Sequence, residues 1–213
     1  MGKDFGAAET GVNLAELLLN QGRLQEAENV LGDALRVLRA SGAASFLAQG
    51  EIQLARLHLL RGECDAAEEL AGGVSRRLLD LGMATTALEA ALVQADALTR
   101  EGRPREALET IDAAEHAAST EAASALPRIC LQRSRALLAL GRFLEAEELI
   151  ETGLASARET QLPYEEAVLL RTLSRVRRHE GDVEGSRQAH EESDRILTSL
   201  GARADSRAPL GTA

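Results

Sequence analysis

The chain has 213 residues, 45% of them hydrophobic but only 2% aromatic, and it carries a net charge of −10. That apolar fraction excludes a disordered chain, and the length suffices for one or two domains with a substantial core. The acidity argues against a nucleic-acid binder, and the absence of a run of about 20 apolar residues argues against a bilayer span.

In chain order, apolar residues recur at helical spacing and predict ten helices, over 8–20, 24–40, 45–61, 64–80, 84–100, 104–118, 124–140, 143–158, 163–179 and 183–200. Leu14, Leu17 and Leu18 form the first such stripe; Ala27, Leu31, Ala34, Leu35 and Leu38 form the second. No segment alternates apolar and polar residues long enough to argue for a strand. Pro104, Pro127 and Pro163 fall near predicted helix starts, where the missing N–H does no harm. Residues 202–213 show no periodicity and are expected to form a disordered tail.

The turns between these helices repeat. "QGRLQEAE" from Gln21 returns as "RGECDAAE", "EGRPREAL", "LGRFLEAE" and "EGDVEGSR". The turn glycines are Gly22, Gly62, Gly102, Gly141 and Gly181, spaced by 40, 40, 39 and 40 residues. Self-similarity at such a period marks a stacked repeat protein. Seven residues before each glycine stand Ala15, Ala55, Ala95, Ser134 and Ser174; five after it stand Ala27, Ala67, Ala107, Ala146 and Ser186. Two small columns are what a helix pair needs where its axes cross closely. A second set of breakers follows about 20 residues later: Gly42, Gly82, the regions around Ala122 and Gln161, and Gly201.

On these residues, with Leu14, Ala15, Leu18, Gly22, Leu24, Ala27, Leu31 and Ala34 carrying the pattern in the first copy, the chain resembles the tetratricopeptide repeat family. The 40-residue period is a long variant, similar to repeats of bacterial regulatory proteins and kinesin light chains. Gly11, Glu51 and Ala91 replace the usual bulky residue early in the first helix of three copies. The resemblance implies an all-α, right-handed superhelical solenoid of five antiparallel hairpins, filling residues 1–201 as one domain with repeats at about 8–42, 45–82, 84–120, 124–160 and 163–201.

It also implies a concave groove lined by the first helix of each hairpin. Positions ten, six and three residues before each glycine would face it. The first column reads Val12, Ile52, Leu92, Leu131 and Arg171; the second Glu16, Arg56, Asp96, Arg135 and Arg175; the third Leu19, Leu59, Thr99, Leu138 and Arg178. An apolar strip therefore runs beside a charged row and ends in Arg171, Arg175 and Arg178, which share a helix face. One reading of that basic face is a clamp for a carboxylate or a phosphorylated side chain of a partner. The other is a solvated face paired with local acids such as Glu165, Glu166 or Asp182.

No residue set points to chemistry. His58, His116, His179 and His190 lie apart in repeat register; His58 falls at a core position, and His190 at a core or cap position. Cys64 and Cys130 have no metal-ligand spacing and suit a reducing, cytoplasmic setting. No signal peptide is visible. Neither a cofactor nor a metal is expected. Ser186, His190 and Ser193 make the last helix polar, as a solenoid cap requires, whereas the first helix is apolar on more than one face. "MGKDF", another domain or a second copy of the chain would cover that N-terminal end.

The expected function is thus non-enzymatic: a scaffold or adaptor that holds a protein or peptide segment in the groove, with no role for nucleic acid or membrane. A regulatory or sensor module of a larger bacterial signalling system is the alternative. RNA binding through helical repeats and catalysis fit the charge and the residues less well.

Overall fold

The computed structural model describes residues 2–118 and 124–203. Ten α-helices follow in order: α1 Gly2–Asn20, α2 Leu24–Ser41, α3 Ala44–Arg61, α4 Cys64–Asp80, α5 Ala84–Arg100, α6 Pro104–Ala118, α7 Leu126–Ala139, α8 Phe143–Glu159, α9 Pro163–Glu180 and α10 Val183–Leu200. Only α1 departs far from the sequence expectation, starting at residue 2 rather than 8. The turn expected around Ala122 lies outside the described residues, as do 204–213 of the expected tail.

The turn glycines are the fold's fixed points. Gly22, Gly62, Gly102, Gly141 and Gly181 all have positive φ, between 74° and 85°. Each closes its helix in the same way. The glycine N–H donates to the carbonyl three residues back, and the next N–H donates to the carbonyl five residues back, as in Gly22 to Leu19 at 3.0 Å and Arg23 to Leu18 at 2.9 Å. This left-handed cap satisfies carbonyls that the helix leaves open, and an L side chain would strain it. The second set of breakers repeats the bond pair at Gly82 and Gly201, and Gln161 takes the role with φ 55°; Gly42 shares the left-handed conformation, but the following Ala43 N–H donates to the Ser41 hydroxyl at 3.3 Å.

Both small columns are buried. Ala15, Ala55 and Ala95 face Ala27, Ala67 and Ala107 within the first three hairpins, all at 1% exposure or less. In the last hairpin Ser174 and Ser186 hold these places and bond to each other, the Ser186 hydroxyl also donating to the Ser174 carbonyl at 2.7 Å. Ser193 is likewise buried and donates to the Ala167 carbonyl. These serines therefore face inward against α9. The polar outer face of α10 comes from residues such as Glu184, Arg187 and Glu191.

Each helix packs on the next. The odd helices also pack on one another: α1 on α3, α3 on α5, α5 on α7 and α7 on α9. That extra closeness curves the stack toward its odd-helix side. At the N-terminal end no described helix covers the outer face of α1. Leu17 is 58% exposed, whereas its counterparts Leu57, Ala97, Ala136 and Val176 are fully buried.

Helix-internal glycines fall into two groups. A Cβ on Gly50 would meet Leu35, and one on Gly153 would come within 2.9 Å of the Cys130 Cβ, so both permit close helix approach. Gly32 and Gly73 face open space.

Candidate functional site

The concave side forms one groove of about 770 Å³, walled by α1, α3, α5, α7 and the start of α9. That volume falls in the range of sites that hold a small ligand or a short peptide. Its floor is apolar. Val12, Ile52, Leu92 and Leu131 of the first column reach it, together with Leu19 and Leu59 of the third. All six are at most 7% exposed, so the floor is already well packed. Leu138 and Thr99 do not reach the groove; Leu138 is buried in the core around α8 and α9, and Thr99 bonds back to the Ala95 carbonyl.

Beside the floor runs the charged row, and its signs alternate. Glu16 of α1 meets Arg56 of α3 at 3.1 Å, and Asp96 of α5 meets Arg135 of α7 at 3.0 Å. Arg100, one turn beyond Asp96, closes on the same carboxylate at 2.9 Å. Side chains of Asp96, Arg100 and Arg135 are only 7–8% exposed. Burial pushes the Asp96 carboxyl up, but Arg135 and Arg100 outweigh it and hold the group below the usual carboxylate range. Arg56 also donates to the Asn20 side-chain oxygen at 2.9 Å, which fixes it against α1.

Arg135 is the unusual member. Its Nη1 serves Asp96, yet its Nε is buried without a hydrogen-bond partner among the described residues. Arg128, two turns earlier on α7 and on the same face, also lines the groove with a buried, unpartnered Nε, while its Nη2 meets Glu89 at 3.1 Å. Such orphaned donors are rare in folded proteins. Between them stands Gln132, one of a row of amide side chains with Asn13 and Gln53.

The three arginines of the last hairpin lie elsewhere. Arg171, Arg175 and Arg178 are not among the groove's lining residues. Arg171 turns to α10, where its guanidinium meets His190 and the carboxylate of Asp194. Arg175 is half-buried and engaged, and Arg178 is exposed. The acids foreseen as their partners do other work. Glu166 pairs with Arg158, and Asp182 caps α10 by accepting from the Gly185 N–H at 2.9 Å.

Sequence reasoning missed Arg100, Arg128, Gln132, Asn20 and Arg203, all of which line the groove. Columns thirteen and nine residues before each turn glycine would have found Arg128, Gln132, Asn13 and Gln53, because they continue the same helix face by one turn.

No histidine or cysteine is among the residues that line the groove. His58 is partly exposed, with Nδ1 2.5 Å from Glu63, and His179 stacks on Phe143 at 3.8 Å. Burial pushes the Cys130 thiol up to about 11 and raises that of Cys64. Among the described residues no cluster of His, Cys, Asp and Glu could hold a metal, and no helix is long and apolar enough to cross a membrane.

Comparison with known proteins agrees with the helical-repeat fold. The tetratricopeptide repeat model matches residues 8–33, 88–113 and 127–152. These three segments are tetratricopeptide repeats. The matched segments begin in α1, α5 and α7 and each crosses one of the turn glycines. Among solved structures it is similar to a kinesin-light-chain-like protein of Podosopora anserina with nearly identical TPR-like repeats, at a TM-score of 0.58 and 20% identity, over 89% of this chain and 94% of that one. A second structure of such repeats from the same organism gives a TM-score of 0.56 at the same identity and coverage. These similarities establish the fold. No curated protein sequence matches the chain. Tetratricopeptide folds generally serve as interaction scaffolds rather than catalysts, and they bind proteins or peptides.

Proposed function

We propose that the chain is a non-enzymatic adaptor whose groove holds an extended peptide segment with an acidic side chain between apolar ones. The observation that carries this reading is Arg135: a groove-lining side chain only 7% exposed, whose buried Nε has no hydrogen-bond partner among the described residues. A carboxylate entering the groove, with the Arg135 side chain turning to present Nε, would remove that deficit by a charge-assisted bond, among the stronger hydrogen bonds available. Arg128 offers a second donor two turns away. The apolar floor exposes little surface, which suits small apolar side chains. The amides of Asn13, Gln53 and Gln132 both donate and accept, as a peptide backbone requires. The acid-binding role thus passes from Arg171, Arg175 and Arg178 to α7.

Selection of random peptides on the immobilised protein tests this directly. Recovered sequences should share one Asp or Glu flanked by apolar residues, and Arg135→Gln protein should no longer select them. Selection of phosphoserine-bearing peptides instead would move the ligand class to phosphate. Sequences without acid, or unaffected by Arg135→Gln, would overturn the reading.

A second contact surface is supported by Leu14 and Leu17 on the outer face of α1, 45% and 58% exposed. We infer that this end meets a second copy of the chain.

A further inference from the structure

We propose that residues 201–203 are a strap that ties the last hairpin to the first and gates the groove. The inference rests on the groove reading only for its biological use; the strap itself is read from contacts at opposite ends of the chain. Helix α10 ends in a left-handed cap at Gly201, with the Ala202 N–H returning to the Leu197 carbonyl at 2.9 Å. That cap turns the chain sharply away from α10. The next N–H, of Arg203, donates to the Asn20 carbonyl at 2.7 Å. Asn20 is the last residue of α1, so this carbonyl is one that the helix cannot satisfy internally. The contact is not confined to that bond. The Arg203 side chain lies against Gly22, where a Cβ would be 3.5 Å from its Cδ, and Arg203 is itself one of the residues lining the groove.

The stack has therefore wound far enough for its end to return to its beginning, and the groove is bounded by all five hairpins and crossed at the first turn by the strap. Asn20 gives the strap a line to the binding machinery. Its carbonyl accepts from Arg203, while its side-chain oxygen accepts from Arg56, which also holds Glu16. Anything that spreads α1 from α9 and α10 to enter the groove must strain the Arg203–Asn20 bond, and anything that breaks the bond frees α1 to move. Coupling of this kind is reciprocal.

The tie is a backbone donor, so proline removes it without shortening the chain. Arg203→Pro deletes the N–H; Arg203→Ala keeps it and deletes only the guanidinium. Gln132→Cys places a reporter thiol in the groove, and its alkylation by a bulky maleimide is measured against the parent protein, whose own thiols are Cys64 and buried Cys130. The strap predicts that Arg203→Pro speeds reporter labelling about fivefold, the change expected when one net hydrogen bond is lost, and that Arg203→Ala does so less. Amide exchange at Arg203 should be slow in the unlabelled protein and faster once the bulky adduct occupies the groove. Equal labelling rates in all three proteins, or an Arg203 amide that exchanges as freely as an unstructured one, would overturn the strap. Exchange that is slow but indifferent to the adduct would overturn the coupling. None of these measurements needs a peptide, so a failed peptide selection would count against the groove's ligand and not against the strap.

Discussion

Arg135 on α7 reaches 39 residues back along the sequence to Asp96 on α5, its Nη1 3.0 Å from the carboxylate, and Arg100 shares that same acceptor. One buried carboxylate thus organises two buried guanidiniums at the centre of the groove. The two sides of the pair should respond unequally. Asp96→Asn leaves both arginines without their anion and should destabilise the protein by about 3–5 kcal/mol, the range for breaking a buried pair. Arg135→Gln leaves Asp96 with Arg100 and should be clearly milder. Urea denaturation of the two variants checks this; equal losses would mean that Arg100 does not sustain Asp96.

The internal glycines predict opposite signs for one substitution. In Gly153→Ala the new methyl meets the Cys130 Cβ at 2.9 Å and Leu169 at 3.1 Å, so the helices must part, with an expected loss of about 1–3 kcal/mol. In Gly73→Ala the methyl meets nothing within 4 Å, and the gain in helix propensity should add about 1 kcal/mol. Thermal melts of both proteins give the comparison, and destabilised Gly73→Ala would contradict the packing described for α4.

Acid should unfold the chain late and then steeply. Hydrogen bonds from Arg61 hold the Glu28 carboxyl down at about 2, and Asp96 is also below its ordinary range. For such groups the unfolded chain binds protons first, so their contribution is complete above an unfolded pKa of about 4 and is lost as the pH falls below it. Burial pushes Glu101 the other way, and its protonation on mild acidification relieves the folded state. Denaturation midpoints should therefore hold from pH 7 to about pH 4.5 and fall below that, less so in Glu28→Gln. A decline beginning above pH 6 would point to other groups.

Leu17 predicts association. Leu17→Glu should shift the protein to a smaller species in sedimentation velocity, with unchanged helical content. An unchanged sedimentation coefficient would leave the α1 end face without a partner copy.

Most of the fold was legible in the sequence because its determinants are local and periodic. Gly22 and its four counterparts mark turns that need positive φ, and Ala15 against Ala27 marks a crossing that needs small side chains. Gln161 escaped as a specific turn residue because nothing in its side chain advertises a left-handed conformation. The groove was half legible. Val12, Ile52, Arg56 and Asp96 follow from the register, but the role given to Arg171 did not hold its place, since Asp194 on the neighbouring α10 captures the guanidinium. A charge column cannot reveal which member is consumed by a helix outside the column. The contact of Arg203 with Asn20 was not legible at all, because it depends on how far small rotations between hairpins accumulate over the whole chain.

The proposed function requires that Arg135 receive an acidic side chain in the groove. The most direct measurement is a double-mutant cycle by fluorescence anisotropy, pairing wild-type and Arg135→Gln protein with a selected peptide and its Glu→Gln counterpart. A charge-assisted bond predicts that either single change weakens binding about 10- to 100-fold and that the second change then adds little. Losses that multiply independently would place the peptide's acid away from Arg135 and contradict the proposed contact.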